Sequence, residues 1–287
     1  MIKDDGNAED SNLQPEALAR YHELKTIIAQ FDSVIIAFSG GIDSSLVAYV
    51  AAEVLGDKAL AVTSGSASLK RSDLNLARAL AIKWGMQHEV IITDELSKPD
   101  YRANPVDRCF HCKTSLYDAL DALAQRHGYQ QVLNGTNCDD LGDHRPGLIA
   151  AADHAVRSPL VEAGYHKSDI RELASHLGLE NAQKPQAACL SSRFPYGSHI
   201  TKARLAQVEQ AEEVLAEFGF SQYRVRHHEE IARLELLPDE IAKAVALGAE
   251  LEQRIRACGY RFVTIDLVGF RSGSLNEGVI NVVQIGN

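Results

Sequence analysis

Val34-Ile35-Ile36-Ala37-Phe38-Ser39-Gly40-Gly41-Ile42-Asp43-Ser44-Ser45 is the stretch on which the fold turns. Its first five residues are an apolar run suited to a buried strand and far shorter than the roughly 20 residues of a membrane helix. Ser39-Gly40-Gly41 breaks the run, and the apolar spacing then turns helical until Gly56, a stop signal. Two glycines let the backbone turn sharply and bring its N–H groups close to a ligand. The helix that follows offers unpaired N–H groups and the positive end of its dipole. With the hydroxyls of Ser39, Ser44 and Ser45, this makes an anion cradle, most simply for phosphate. No Gly-Lys-Ser/Thr follows, so it is not a Walker A loop, and it lacks the dinucleotide pattern of three spaced glycines. The plain alternative is a tight turn capped by Asp43, which needs neither both glycines nor three hydroxyls.

Working outward, strands are predicted over 59–63, 88–93 and 131–134. Helices are predicted over 15–30, 68–84 (capped by Ser68 or Ser72), 113–127 and 166–177, with an irregular stretch over 94–112. Strands and helices alternating at this spacing predict an α/β fold, a parallel sheet with helices on both faces. Beyond residue 200 the pattern changes to helix 201–218, strands 223–228 and 231–236, helix 238–257 and strand 260–267. That order predicts a smaller C-terminal α+β domain. The expected organisation is a disordered tail over 1–15, a first domain over 16–185 and a second over 186–287.

The chain has 287 residues, 45% hydrophobic and 24% charged, which excludes wholesale disorder. Acidic residues number 39 and basic 29, a net charge of −10 that disfavours broad nucleic-acid or anionic-membrane binding. Five cysteines are present, and no basic stretch followed by an apolar one opens the chain. The expectation is a reducing, cytoplasmic setting with free or metal-bound thiols.

Three further groups carry chemistry. Gly135-Thr136-Asn137-Cys138-Asp139-Asp140 follows the fourth predicted strand, where open α/β sheets bind ligands; it also reads as an Asn/Asp-rich turn. Cys109-Phe110-His111-Cys112 is expected in a loop just before a helix. Alone it is a redox pair, half a zinc site or part of an iron–sulfur site. Cys189 lies far downstream in Ala188-Cys189-Leu190-Ser191-Ser192-Arg193-Phe194-Pro195-Tyr196-Gly197. Arg224 and Arg226 alternate on one strand and share a face. They suit a phosphate or dicarboxylate, or else pair with Glu229 and Glu230 on a solvated edge. Cys138, Cys258 and Trp84 read as packing residues. His227 and His228 are adjacent and point to opposite sides.

The glycine loop resembles the PP-loop of the ATP pyrophosphatase superfamily. That resemblance implies ATP held through its β and γ phosphates by Ser39, Gly40, Gly41, Asp43 and Ser44, with Asp43 also serving Mg²⁺ and cleavage between the α and β phosphates. Gly135–Asp140 resembles the superfamily's second nucleotide-side motif. The order and spacing of Cys189–Gly197, Tyr223-Arg224-Val225-Arg226-His227, Ile231–Leu236 and Gly269-Phe270-Arg271-Ser272-Gly273 resemble the LarE family, over about 31–273. It implies an ATP-dependent sulfurtransferase that adenylates the carboxylates of pyridinium-3,5-biscarboxylic acid mononucleotide and converts them to thiocarboxylates, in building a nickel-pincer cofactor. One variant of the family gives up the sulfur of a single cysteine; the other holds a 4Fe-4S cluster. With Cys109, Cys112 and Cys189 this chain resembles the second, which implies a cluster on those three thiolates and puts a sacrificial Cys189 in doubt. Zinc with Cys138 or His111 as fourth ligand, or three unconnected thiols, are the other readings. The resemblance also implies substrate binding by Ser192, Arg193, Arg224 and Arg226. Glu212 and Glu235 match family positions and are candidates for metal. A homo-oligomer and handover of product to a nickel-inserting enzyme follow by analogy. A PP-loop tRNA thiolase and an amide-forming ligase of the NAD synthetase kind are the rivals, the first disfavoured by the acidic balance.

Overall fold

The structure, a computed structural model, describes residues 14–142, 146–185, 188–271 and 273–276. The tail expected over 1–15 therefore falls, up to residue 13, outside the described residues. The chain divides into two compact units, Met1–Glu95 with Asp107–Ala187 and Leu96–Val106 with Ala188–Asn287.

In the first unit the order is α1 (Pro15–Ile28), β1 (Val34–Ala37), α2 (Ile42–Leu55), β2 (Ala59–Ser64), α3 (Arg71–Lys83) and β3 (Gln87–Ile91). The chain returns to it, after α4 (Pro99–Arg102) in the second unit, with α5 (Arg108–His127), β4 (Gln131–Leu133), α6 (Pro146–Asp153), α7 (Pro159–Glu162) and α8 (Lys167–His176). The four strands are parallel in the order β3-β2-β1-β4. Alternation along β1 sends its side chains to two cores. Val34 and Ile36 pack with Leu24, Leu46, Leu80 and Leu173. Ile35 packs on the other face with Val62, Tyr117, Leu120 and Val132. Helices thus cover both faces, as the alternating pattern predicts.

Two local expectations are corrected. Neither Ser68 nor Ser72 caps α3, which starts after Lys70 without a side-chain cap. Ser68 Oγ instead donates to Glu95 Oε1 at 3.0 Å. The stretch 94–112 is not irregular throughout. It contains α4 and the first turn of α5, so Cys109 and Cys112 lie three residues apart on one helical face rather than in a loop. Asp107 and Arg108 hide this helix start in the sequence, because a first turn needs no apolar stripe.

The second unit runs α9 (Lys202–Glu217), β5 (Tyr223–His228), β6 (Ile231–Leu236), α10 (Ile241–Ala246), α11 (Gly248–Ala257) and β7 (Phe262–Ile265). β5 pairs antiparallel with β6, and β6 parallel with β7. The helix expected over 238–257 is broken at Leu247 between α10 and α11. Thr201 caps α9 by accepting from Arg204 N at 3.2 Å. Leu96–Val106, read from the sequence as part of the first domain, packs with this unit. Tyr101 Oη lies 2.5 Å from Ser191 Oγ, Asn104 Nδ2 donates to Pro195 O at 2.7 Å, and Ile200 N donates to Arg102 O at 2.9 Å.

In the first unit, β2 and β4 flank β1, so chain connections diverge on either side of the β1–β4 boundary. Such a switch point opens a crevice at the carboxyl ends of the two strands. The loops leaving β1 and β4 meet there. A Cβ on Gly135 would stand 2.5 Å from Ser44 N and 2.8 Å from Asp43 C, both backbone atoms. Gly135→Ala should therefore lower unfolding stability by about 1–3 kcal/mol through overpacking. Gly142→Ala, where a Cβ meets nothing within 4 Å, should be close to neutral. Denaturant midpoints of the two variants check this.

Candidate functional site

The loop after β1 is shaped by its glycines. Gly40 has φ +70°, and a Cβ there would press on Ala77 at 3.3 Å. Ser44 Oγ accepts from Ser39 N at 3.2 Å and donates to Gly41 O at 3.0 Å. Asn181 holds the loop from beneath, its Nδ2 donating to Gly40 O at 3.0 Å and to Ser45 Oγ at 2.8 Å. No side chain caps α2 at Gly41, so the plain turn capped by Asp43 is not what forms. The N–H groups of its first turn remain for an anion.

Asp43 points to the loop after β4. Asn137 Nδ2 donates to Asp43 Oδ1 at 3.3 Å, and Lys167 Nζ lies 2.5 Å from both its oxygens. Asp139 accepts from Lys167 N at 2.7 Å and contacts His166 Nδ1 at 2.6 Å. That hydrogen bond holds the Asp139 carboxyl below its ordinary pKa and raises His166 above its own. Cys138 lies 3.9 Å from Val161 O, and burial pushes its thiol pKa up, which makes it a poor thiolate ligand.

A third element escaped the sequence reading. Glu95 is buried and accepts from Ser68 Oγ at 3.0 Å and Thr93 Oγ1 at 2.9 Å, tying the loop after β2 to the loop after β3. Neither Glu95 nor Asn181 nor Lys167 sits in a motif, since each acts through a partner distant in sequence.

In the second unit, Cys189 precedes a 3₁₀ turn, Leu190–Arg193. Arg193 is buried and forks onto Glu212, with Nε 2.8 Å from Oε1 and Nη2 3.1 Å from Oε2. Its Nη1 donates to Ala188 O, Cys189 O and Ser192 Oγ at 2.9, 3.2 and 2.9 Å. Ser192 Oγ also donates to Cys189 O at 2.8 Å. Glu212 Oε1 further accepts from Val225 N at 3.1 Å. Arg226 is buried against Glu235 at 2.9 Å and donates to Ser192 O at 2.6 Å and Ser274 Oγ at 2.7 Å. Glu229 and Glu230 pair elsewhere, with Arg204 and Arg261.

Arg224 differs. Half-buried, it stacks over the Phe270 ring at 4.8 Å and forms no hydrogen bond or ion pair among the described residues. Burial first, then the charges of Arg193 and Arg226, depress its pKa to about 10. It is a partly desolvated guanidinium, a group whose free energy falls on pairing with an anion.

The five cysteines are free thiols, Cys109 exposed and Cys112, Cys138, Cys189 and Cys258 partly covered. Among the described residues no three His, Cys, Asp or Glu side chains are gathered as a metal site. The expected trio therefore consists of a pair one turn apart on α5 and Cys189 on its own loop. Glu212 and Glu235 are engaged by arginines.

Comparison with known proteins places this geometry. A family model for NAD synthase matches residues 19–103. A Synechocystis sp. protein described as uncharacterized is 44% identical over 90% of this chain and 97% of its own. The pyridinium-3,5-bisthiocarboxylic acid mononucleotide synthase of Lactiplantibacillus plantarum is 38% identical over 88% of this chain and 92% of its own. The tRNA-specific 2-thiouridylase of Rickettsia rickettsii is 30% identical over 61% of this chain and 59% of its own.

Removing one partner of the Arg193–Glu212 pair leaves a charge buried and unmatched. Glu212→Gln should cost about 3–5 kcal/mol of unfolding stability. Glu213→Gln, at the exposed neighbouring position, should stay within about 0.5 kcal/mol. Chemical denaturation of the two variants measures the contrast.

Proposed function

The chain belongs to the LarE family of ATP-dependent sulfur transferases of the PP-loop kind, and from that we propose that it adenylates a carboxylate of pyridinium-3,5-biscarboxylic acid mononucleotide and replaces it with a thiocarboxylate. The observation that carries this reading is Arg224, a guanidinium without an acid partner among the described residues, which favours a small substrate bearing phosphate and carboxylate charges. The uncapped start of α2 and the hydroxyl-lined Ser39–Ser45 loop support ATP as the second substrate. The net charge of −10 favours a small molecule over tRNA.

The chemistry divides among the residues. Backbone N–H groups at Gly41–Ser44 receive the β and γ phosphates, while the serine hydroxyls shape the turn. An acyl adenylate makes the carboxylate oxygen a good leaving group, because that oxygen, bonded to the α phosphorus, departs as part of AMP. Arg224 binds a substrate anion directly. Arg226, held by Glu235 and Ser192, positions that strand against the Cys189 loop, and Arg193 and Ser192 fix the Cys189 backbone.

Two groups are part of the proposal. Asp43 offers two carboxylate oxygens, hard donors of the kind Mg²⁺ takes, although Lys167 holds both in this structure. Cys109, Cys112 and Cys189 are soft, free thiols, which suits iron–sulfur ligation better than magnesium or calcium. Those three cysteines would hold a 4Fe-4S cluster, which when bound would carry sulfide on the iron that has no protein ligand. Cys109 and Cys112, on one turn of α5, present their sulfurs from the same face. No described helix is long and apolar enough to cross a membrane, and a cytoplasmic setting, a homo-oligomer and handover to a nickel-inserting enzyme complete the reading.

Anaerobic protein incubated with ATP, sulfide and the mononucleotide should release AMP and pyrophosphate and form thiocarboxylate over many turnovers, with Cys189 intact by peptide mass spectrometry. ADP and orthophosphate would sink α/β cleavage. Dehydroalanine at Cys189 with less than one sulfur per chain would instead mark a single-use donor.

Losing a charged hydrogen-bond partner costs about 1.5–3 kcal/mol, so Arg224→Ala should weaken substrate binding about 10- to 150-fold with the unfolding midpoint unchanged. Arg224→Lys should recover little, since an ammonium lacks the planar fork. Calorimetric titration with the mononucleotide decides it, and normal binding by both variants would show that the arginine is not a substrate contact.

A further inference from the structure

The peptide plane that joins Gly40 to Gly41 has a glycine on each side, Gly40 with φ +70° and Gly41 with φ −77°. Turning such a plane over changes ψ of the first residue and φ of the second, and glycine tolerates either setting. The two orientations are opposites for an anion. A trans peptide sends its N–H and its C=O to opposite sides, so either the Gly41 N–H or the Gly40 carbonyl oxygen faces the ligand. The glycines therefore make the turn possible without choosing its polarity.

Asn181 makes that choice. It is 4% exposed, and its Nδ2 donates to Gly40 O at 3.0 Å and to Ser45 Oγ at 2.8 Å. A carbonyl oxygen only accepts, so the atom that faces it is the amide nitrogen, and both hydrogens of that nitrogen are used. The arm stands on a fixed base. Arg171 of α8 donates to Ala182 O at 3.0 Å and Lys184 O at 3.3 Å, Lys184 Nζ lies 2.7 Å from Asp73 Oδ1 of α3, and Leu179 and Ala182 are part of the core. Gly40 O is drawn inward, and the Gly41 N–H is turned the other way, where it meets Ser39 Oγ in a long, exposed bond of 3.3 Å. Asn181 Oδ1 is buried, and no donor among the described residues meets it. A buried acceptor left unpaired lowers stability, so the fold's stability does not account for an asparagine at this place.

We propose that Asn181 is a positioning residue of the nucleotide loop, holding the Gly40–Gly41 peptide in the one orientation that presents the Gly41 N–H, and not the Gly40 carbonyl, to the phosphates. This rests on the proposed use of ATP at the Ser39–Ser45 loop. An N–H at that position makes a charge-assisted hydrogen bond to a phosphate oxygen. A carbonyl oxygen there would turn the negative end of its dipole on the same anion. Asn181 fixes the donor before the ligand arrives, so nothing has to reorganise when the phosphates bind or when charge builds on them. The effect is confined to the phosphate end of the nucleotide, because Asn181 touches the loop and not the carboxylate substrate.

Two variants of the full-length protein test this. Asn181→Leu keeps the branched shape and removes the donor, and Asn181→Asp keeps the size and offers Gly40 O a second acceptor. In Asn181→Leu the KM for ATP and the calorimetric dissociation constant of inorganic pyrophosphate should both rise at least about tenfold, the effect of losing one donor to a charged group. In Asn181→Asp both should rise further, and in neither variant should the KM for the mononucleotide change. A merely structural role would lower kcat with the folded fraction and leave the KM for ATP and the pyrophosphate affinity as in wild type. Selective isotopic labelling of glycine in wild type, read by nuclear magnetic resonance, needs no variant to fold. Adding pyrophosphate should move the Gly41 amide proton downfield, the direction of a new hydrogen bond to an anion. A Gly41 amide that stays in place, variants that bind ATP and pyrophosphate as tightly as wild type, or a loss confined to the aspartate variant overturns the proposal. Wild type that binds neither ATP nor pyrophosphate overturns the ATP reading and this proposal with it. Wild type that binds both, beside variants that bind them equally well, overturns the role of Asn181 alone.

Discussion

The loop after β4 passes so close to the start of α2 that residue 135 has no room for a Cβ beside Ser44 N. The rest of the first unit depends on that approach. It occurs because β1 lies between β2 and β4, so the chain leaves the sheet in opposite directions from two neighbouring strands. Once the two loops touch, Asn137 reaches Asp43 and Asp139 reaches the start of α8. Asn181 then fixes the underside of the glycine turn. The result is a helix N-terminus left without a side-chain cap and shaped from several directions, which is the form an anion site takes when the backbone itself is the ligand.

The second unit is organised by a different constraint, the satisfaction of buried charge. Glu212 accepts the fork of Arg193 and the amide of Val225, and Glu235 accepts Arg226. Arg193 in turn grips the carbonyls of Ala188 and Cys189. Through these contacts the Cys189 loop and the strand carrying Arg224 become one polar network. Glu212 takes Arg193, and Glu235 is shared by Arg226 and Arg233, so the half-buried Arg224 is left without an acid partner among the described residues. Partial desolvation of that charge raises its tendency to pair with an incoming anion.

Several elements were legible from pattern alone because their signals are local. The apolar run of β1, the glycine pair after it, the alternation along β5 and β6, and the helix expected over 201–218 were all readable, and the expected boundaries of β5 and β6 coincide with those observed. The start of α5 was missed, since its first turn buries Arg108 rather than an aliphatic residue and so carries little apolar periodicity, and with it the placement of Cys109 and Cys112 on one helical face. The break at Leu247 within 238–257 was missed although Gly248 marks it, because helix formers flank it on both sides.

The sequence by itself determined the element types, the α/β followed by α+β order, and the position of the glycine loop, because propensity, period and turn chemistry act over a few residues. Only the tertiary structure decided which charges are free. Arg224 and Arg226 are equivalent by alternation, yet one is fully enclosed by Glu235, Ser192 and Ser274 and the other is not. Lys167 and Asp43 are 124 residues apart, and the link of Asn104 to Pro195, which draws Leu96–Val106 into the second unit, spans 91. The physical reason is that burial and ion pairing depend on which distant segments fold against each other, and no local pattern of side chains records that.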